Sequence, residues 1–143
     1  MTVEELLQLP TIKGLKLISG NLGVHREIST VTVVDTPDGF QWLKGNEVVI
    51  TTTYALEKTP NSFLDFISKL LSRNISALIV KSDRYIKVIP ENAKKLCDEK
   101  ALPLIYCPAI YAFADIINPT LSGIISKQAE QLKESSKIHE SFL

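Results

Sequence analysis

The chain carries no excess of either charge: 16 Lys and Arg balance 16 Asp and Glu over 143 residues. A domain that grips DNA phosphates by itself shows a basic excess or a basic stripe. Any DNA-binding part of the protein is therefore expected outside these residues. Cysteine is scarce. Cys97 and Cys107 lack CxxC spacing, and the two histidines, His25 and His139, are far from them in sequence. A zinc site takes four N/S ligands, so no metal is expected, and both thiols are expected to be buried and reduced. Glycine is scarce too, at six residues. GxxxxGK[ST] and GxGxxG are both missing, as are the GxSxG elbow and the kinase set. No cofactor is expected. No histidine, lysine or nucleophile has a partner at motif spacing, so the chain is expected not to be an enzyme. No apolar run approaches the roughly 18 residues of a membrane span. The N-terminus, Met1-Thr2-Val3-Glu4-Glu5, carries acids where a signal peptide carries bases. A cytoplasmic protein is expected.

What is present suits one folded domain. Hydrophobic residues make up 45% and charged residues 22%, which excludes a disordered tail or an acidic scaffold. Helix and strand signals alternate. Thr2 and Glu5 have capping-box spacing ahead of Leu6 and Leu7, and Pro10 ends the segment. Leu15 to Ser19 reads as a strand closed by Gly20-Asn21-Leu22-Gly23. Ile28 to Val34 is the most β-branched run in the chain. Asp35-Thr36-Pro37-Asp38-Gly39 breaks it, a helical turn follows at Phe40 to Leu43, and Glu47 to Thr51 reads as a buried strand. Thr59 suits an N-cap with Pro60 at the first helical position, ahead of Phe63, Phe66, Ile67, Leu70 and Leu71 at helical spacing. Ser76 to Val80 is a short apolar strand, Pro90 opens a helix to Lys100, and Leu102 to Tyr106 is the next strand. Such alternation predicts an α/β fold: a mixed, partly parallel sheet with flanking helices and right-handed crossovers.

From Ala112 the pattern becomes helical throughout. Ile116, Ile117, Leu121, Ile124 and Ile125 form an apolar stripe, and Asn118-Pro119 marks either a kink or a fresh helix start. Beyond Ser126 the composition turns to Lys, Glu, Gln and Ser. Glu130 with Lys133, and Glu134 with Lys137, are supporting i,i+3 pairs. Leu121, Ile125, Leu132 and Phe142 follow a 4-3 register, but Gln128, Ser135 and His139 take its other positions, a poor coiled-coil seam. Residues 119–143 are expected to be a solvated C-terminal helix that leads out of a domain spanning 1–118. The apolar pair Phe142-Leu143 reads as a cut within a longer chain. A dimer, with the Leu121–Phe142 helix contributing, is expected.

Several stretches carry a resemblance: TVEELLQLP, GLKLISGNLG, REISTVTVVDTP, WLKGNEVVITTTYAL and LPLIYCP. Together they resemble the N-terminal domain of PucR-type bacterial transcriptional regulators, named after purine catabolism, over about Thr2 to Asn118. GNEVVITTTYAL is the most specific piece, although Thr53 stands where the family more usually has glycine. The resemblance implies an N-terminal regulatory domain that senses a small molecule or oligomerises, with a middle domain and a DNA-binding helix-turn-helix farther along. Its partners would be a small polar metabolite, purine-related by the family's name, and a second copy of itself. DNA would be reached only through the C-terminal part. A more distant likeness to the N-terminal domains of HPr kinase and the Mur ligases supplies the alternative, a small α/β enzyme subunit or nucleotide-binding module.

Ligands of α/β sheets bind outside the carboxyl ends of strands. Thr51-Thr52-Thr53-Tyr54 follows a buried strand directly, and its hydroxyls suit a small polar ligand. The same hydroxyls also suit local backbone capping. Asp35 and Asp38 occupy the neighbouring strand-end loop, where turn chemistry explains them equally well. Thr52, Thr53, Tyr54 and Asp35 are the candidate ligand-binding residues. Lys81 and Arg84 after the next strand, and His25-Arg26 in a turn, are further candidates for an anion.

Overall fold

A computed structural model describes residues 1–52, 62–83 and 89–141. Five strands form one sheet: β1 (Lys16–Ser19), β2 (Thr30–Val33), β3 (Glu47–Thr52), β4 (Ala77–Ser82) and β5 (Leu104–Pro108), in the order β1-β5-β4-β3-β2. β2 to β5 are mutually parallel, and β1 joins β5 antiparallel at one edge. The mixed, largely parallel sheet expected from the sequence is present. Depth follows composition. β3, β4 and β5 hold near-continuous apolar runs and are buried on both faces, as central parallel strands must be. The most β-branched run supplies only the edge strand β2. Its alternating Thr30 and Thr32 suit a strand with one wet side, and Val33 is 37% exposed.

Strands β2 to β5 advance in one direction, so right-handed crossovers place every connection on the same face. There α2 (Ser62–Ser72) and α3 (Glu91–Lys100) cover Val49, Leu78, Val80 and Leu104 with Phe66, Ile67, Leu70, Ala93 and Cys97. The opposite face needs cover of its own. Val48, Ile50, Ile79, Ile105 and Cys107 are closed over by α1 (Val3–Leu7) and α4 (Phe113–Ser141), through Val3, Leu6, Ile116 and Ile124. The result is a three-layer α/β/α sandwich whose second face is built by the two ends of the chain.

The capping box forms as the spacing predicts: Glu5 N–H donates to Thr2 Oγ1 at 3.2 Å, and Thr2 N–H to Glu5 Oε1 at 3.0 Å. Pro90 opens α3 as its N-cap. The N-cap expected at Thr59 and Pro60 lies outside the described residues. Pro119 interrupts nothing, because α4 is one 29-residue helix with Pro119 inside it. Proline has no N–H for the ladder; at the next residue, the buried Thr120 hydroxyl donates to Ile116 O at 2.6 Å. The 118/119 point thus falls within α4, whose burial against the body continues to Ile124.

The Gly20–Gly23 turn shows why glycine recurs there. Gly20 has φ +76°, its N–H donates to Asp98 Oδ1 at 2.7 Å, and a Cβ on Gly23 would lie 1.9 Å from the Ala101 carbonyl oxygen. That neighbour is backbone and cannot swing aside. Gly23→Ala is therefore expected to lower the unfolding free energy by about 3 kcal/mol, read as a fall in the urea midpoint at unchanged slope.

Candidate functional site

The parallel register determines what meets at the carboxyl ends of the strands. Val33 pairs with Ile50, so Asp35, two residues on, arrives beside Thr52. Asp35 Oδ1 accepts from Thr52 N–H at 2.7 Å, from Thr52 Oγ1 at 3.1 Å and from Thr51 Oγ1 at 3.2 Å. Two of the four candidate residues, Asp35 and Thr52, are thus brought together, and their first use is mutual. The other two, Thr53 and Tyr54, lie outside the described residues, as does Arg84.

Strand alternation sorts the neighbours. Thr51 is fully buried on the α2/α3 side, in register with Val80. Thr52 is half-buried on the α4 side and pairs with Lys81, which pairs with Cys107. A row Thr52–Lys81–Cys107 therefore crosses three strand ends on one face. The Lys81 ammonium lies 5.3 Å from the centroid of the Phe113 ring, within cation–π range of the first residue of α4. Burial pushes the Cys107 thiol up to about 11, with the Lys81 charge opposing. Cys97, beneath α3, is pushed up to about 12 by burial and then by the Asp98 carboxylate. Both thiols are free and buried, as expected, and neither is a nucleophile near neutrality.

A groove of about 470 Å³ beside the edge strand β2 is lined by Thr30, Thr32 and Val33 together with Trp42 and Lys44. Asp35 lines one end of it and Glu47 also contributes. Glu47 has structural work: its carboxylate, 5% exposed, accepts from Lys44 N–H at 2.6 Å and Gly45 N–H at 2.8 Å. Those bonds hold a turn in which Gly45 and Asn46 both have positive φ. The most family-specific motif is thus explained locally by its glycine and glutamate. Asp38 is exposed in the turn before Gly39 and joins no cluster. Arg26 is committed as well, with Nη1 donating to Ile75 O at 3.1 Å and Nη2 to Lys100 O at 3.0 Å. Two of its guanidinium nitrogens are thus engaged by backbone carbonyls at this candidate anion position. Trp42 is 82% exposed, which the sequence does not disclose because a single helical turn gives no sign of which side faces water.

Among the described residues no cluster of His, Cys, Asp and Glu could hold a metal ion, and no helix is long and apolar enough to cross a membrane. The purine catabolism regulatory protein-like family, PucR, matches residues 5–124. The purine catabolism regulatory protein of Bacillus subtilis (strain 168) is 31% identical over 142 residues, which cover 99% of this chain and 27% of that protein. The chain thus spans about a quarter of the length of the curated relative it matches.

Two measurements follow from the geometry. Asp35→Ala leaves the Thr52 N–H and hydroxyl without their acceptor, while the Thr51 hydroxyl keeps the Thr52 carbonyl at 3.2 Å, and is expected to lower stability by about 2 kcal/mol. Asp35→Asn, which keeps a neutral acceptor, is expected to lose about half of that, both read by urea denaturation. Cys97 and Cys107 are expected to resist a thiol reagent at pH 8 in the folded protein. Both should react at once in urea, since raised thiol values leave little thiolate and burial blocks access.

Proposed function

The chain belongs to the purine catabolism regulatory protein-like family, and on that premise we propose that it is the N-terminal sensing domain of a bacterial transcriptional regulator. The ligand is a small polar metabolite, of the purine-derived kind that the Bacillus relative's name suggests, bound at the carboxyl ends of the parallel strands. The working unit is a homodimer, and DNA is contacted by a part of the protein outside this chain. The domain itself performs no catalysis.

One observation carries the reading: Asp35 and Thr52 sit one strand from Lys81, and Lys81 rests on Phe113 at the start of α4. Oδ1 of Asp35 is engaged by Thr51 and Thr52, and we assign Oδ2 as the acceptor for a ligand N–H. The Lys81 ammonium supplies a donor for a ligand carbonyl or anionic oxygen. Purine breakdown products present both kinds of group on one planar frame. A ligand that draws Lys81 toward itself competes with the Phe113 contact, so occupancy alters the seating of the helix that leaves the domain. Ligand and helix position are then linked by a coupling free energy, which works in both directions.

Calorimetry against purines and their breakdown products tests the site. One member is expected to bind the parent, and Lys81→Ala and Asp35→Asn are each expected to weaken it about tenfold, matching about 1.4 kcal/mol per lost contact. Equal binding by parent and both variants would remove the strand ends as the site. In a gel shift at ~150 mM salt the isolated chain is expected not to distinguish operator from random duplex, in keeping with its zero net charge.

A further inference from the structure

α4 is about 43 Å long at 1.5 Å per residue, and little more than its first third lies on the body. Ile116, Thr120 and Ile124, four residues apart, are buried on one face, whereas Ile125 through Ser136 are exposed without exception. A projecting helix of this kind is marginal in water unless something packs along it. Its own charges give little help. Glu130 with Lys133 is a favourable i,i+3 pair, but Glu130 with Glu134 sets like charges four apart.

The distribution of those charges is the informative feature. At about 100° per residue, Lys127, Glu130, Lys133 and Glu134 all fall on one side of the helix. The side centred on Ile125 and Leu132, which are 64% and 70% exposed, carries no charge at all. Gln128 and Ser135 complete the 4-3 register there, with the small Ala129 and Ser136 beside them. The body does not cover this side. Ile124 is turned about 100° from Ile125, and Lys127, on the far side of Ile124, forms an ion pair with Glu5 of α1 at 3.4 Å.

We propose that this uncharged side of α4 is the seam on which a second copy of the chain docks, the two helices lying parallel about a two-fold axis. Parallel two-fold pairing sets each seam residue against its own copy, which a charged residue does not tolerate and a self-complementary one does. Ile125 and Leu132 meet Ile125 and Leu132. Gln128 and Ser135 each have both a donor and an acceptor, so each can satisfy its own copy where an unrelated apolar partner would leave it unpaired. The mixed seam is then a device that specifies partner and register, in the way single polar residues do in coiled coils. The small residues at its flank allow close approach. The proposal rests on the homodimer named above and is independent of any ligand.

Light scattering at matched concentration near 100 µM tests it. The parent is expected at twice the chain mass, Leu132→Glu at one chain mass with the body still cooperatively folded and its thermal midpoint lowered only by the lost association, and the outer-face control Lys133→Glu at twice. Leu132→Cys is expected to cross-link to its own copy under mild oxidation, while Lys133→Cys and the parent, whose native thiols are buried, are not. A monomeric parent would overturn both the seam and the homodimer. A dimer that survives Leu132→Glu would overturn the seam alone. A dimer abolished by Leu132→Glu but not cross-linked by Leu132→Cys would overturn the parallel register.

Discussion

Burying both faces of β3, β4 and β5 is the constraint on which the rest of the structure depends. Parallel strands joined by right-handed crossovers in one direction receive all their connections on one face, so α2 and α3 can cover only half of the sheet. Val48, Ile50, Ile79 and Ile105 on the other half would otherwise face water. At roughly 1.5–3 kcal/mol for a buried aliphatic side chain, leaving four of them open would erase much of a stability of ~5–15 kcal/mol. The chain meets the need with its two ends. α1, fixed by its capping box, and the first part of α4 close that face together. The helix that leaves the domain is therefore also part of its core.

That double role accounts for what the sequence does and does not disclose. Strand positions are legible wherever an apolar run is too short to be a helix, and Glu47–Thr52, Ala77–Ser82 and Leu104–Pro108 appear close to the expected places. Their parallel order is legible from the alternation with helices. Which strand lies at an edge is another matter. Ile28 to Val34 has the highest β propensity, yet β2 ends the sheet, because propensity measures backbone and side-chain fit and not how many neighbours a strand has. The threonines at alternate positions of β2 were the better sign. Pro119 misleads in the opposite direction. Its effect on a helix is local, and the burial of Ile116, Thr120 and Ile124 carries the helix through it.

At the strand ends, composition identifies the right loops but not the roles of the residues in them. Asp35 and Thr52 are seventeen positions apart and meet only because β2 and β3 run parallel in the observed register. Nothing in either local sequence encodes that pairing. Lys81 gains its place from the same cause, as the next residue across from Thr52, and Phe113 reaches it only because α4 turns back over that face. Arg26 illustrates the reverse case. It is a candidate for holding an anion in the sequence, but three-dimensional packing binds it to two backbone carbonyls, as it binds Glu47 to two backbone N–H donors.

The energetics limit what a ligand at the proposed strand-end site could do to α4. α4 is anchored to the body by Ile116 and Ile124, each worth roughly 1.5–3 kcal/mol of burial, together with the buried Thr120 and the Lys127–Glu5 ion pair. A ligand held by two or three hydrogen bonds at about 0.5–1.5 kcal/mol each cannot supply enough differential affinity to strip the helix from the sheet. Reversing a 1:99 equilibrium alone takes about 5.5 kcal/mol. What it can change is the contact at the first residue, where Lys81 meets the Phe113 ring and the interaction is of order 1 kcal/mol. A small reorientation there is carried by a rigid rod about 43 Å long, so its displacement grows with distance from the sheet. The projecting part of α4 beyond Lys127, where Gln128 through Ser136 are all exposed, is where that displacement is greatest. Occupancy of the proposed site would accordingly tilt a helix that stays docked, with the far end as the place where the tilt is felt.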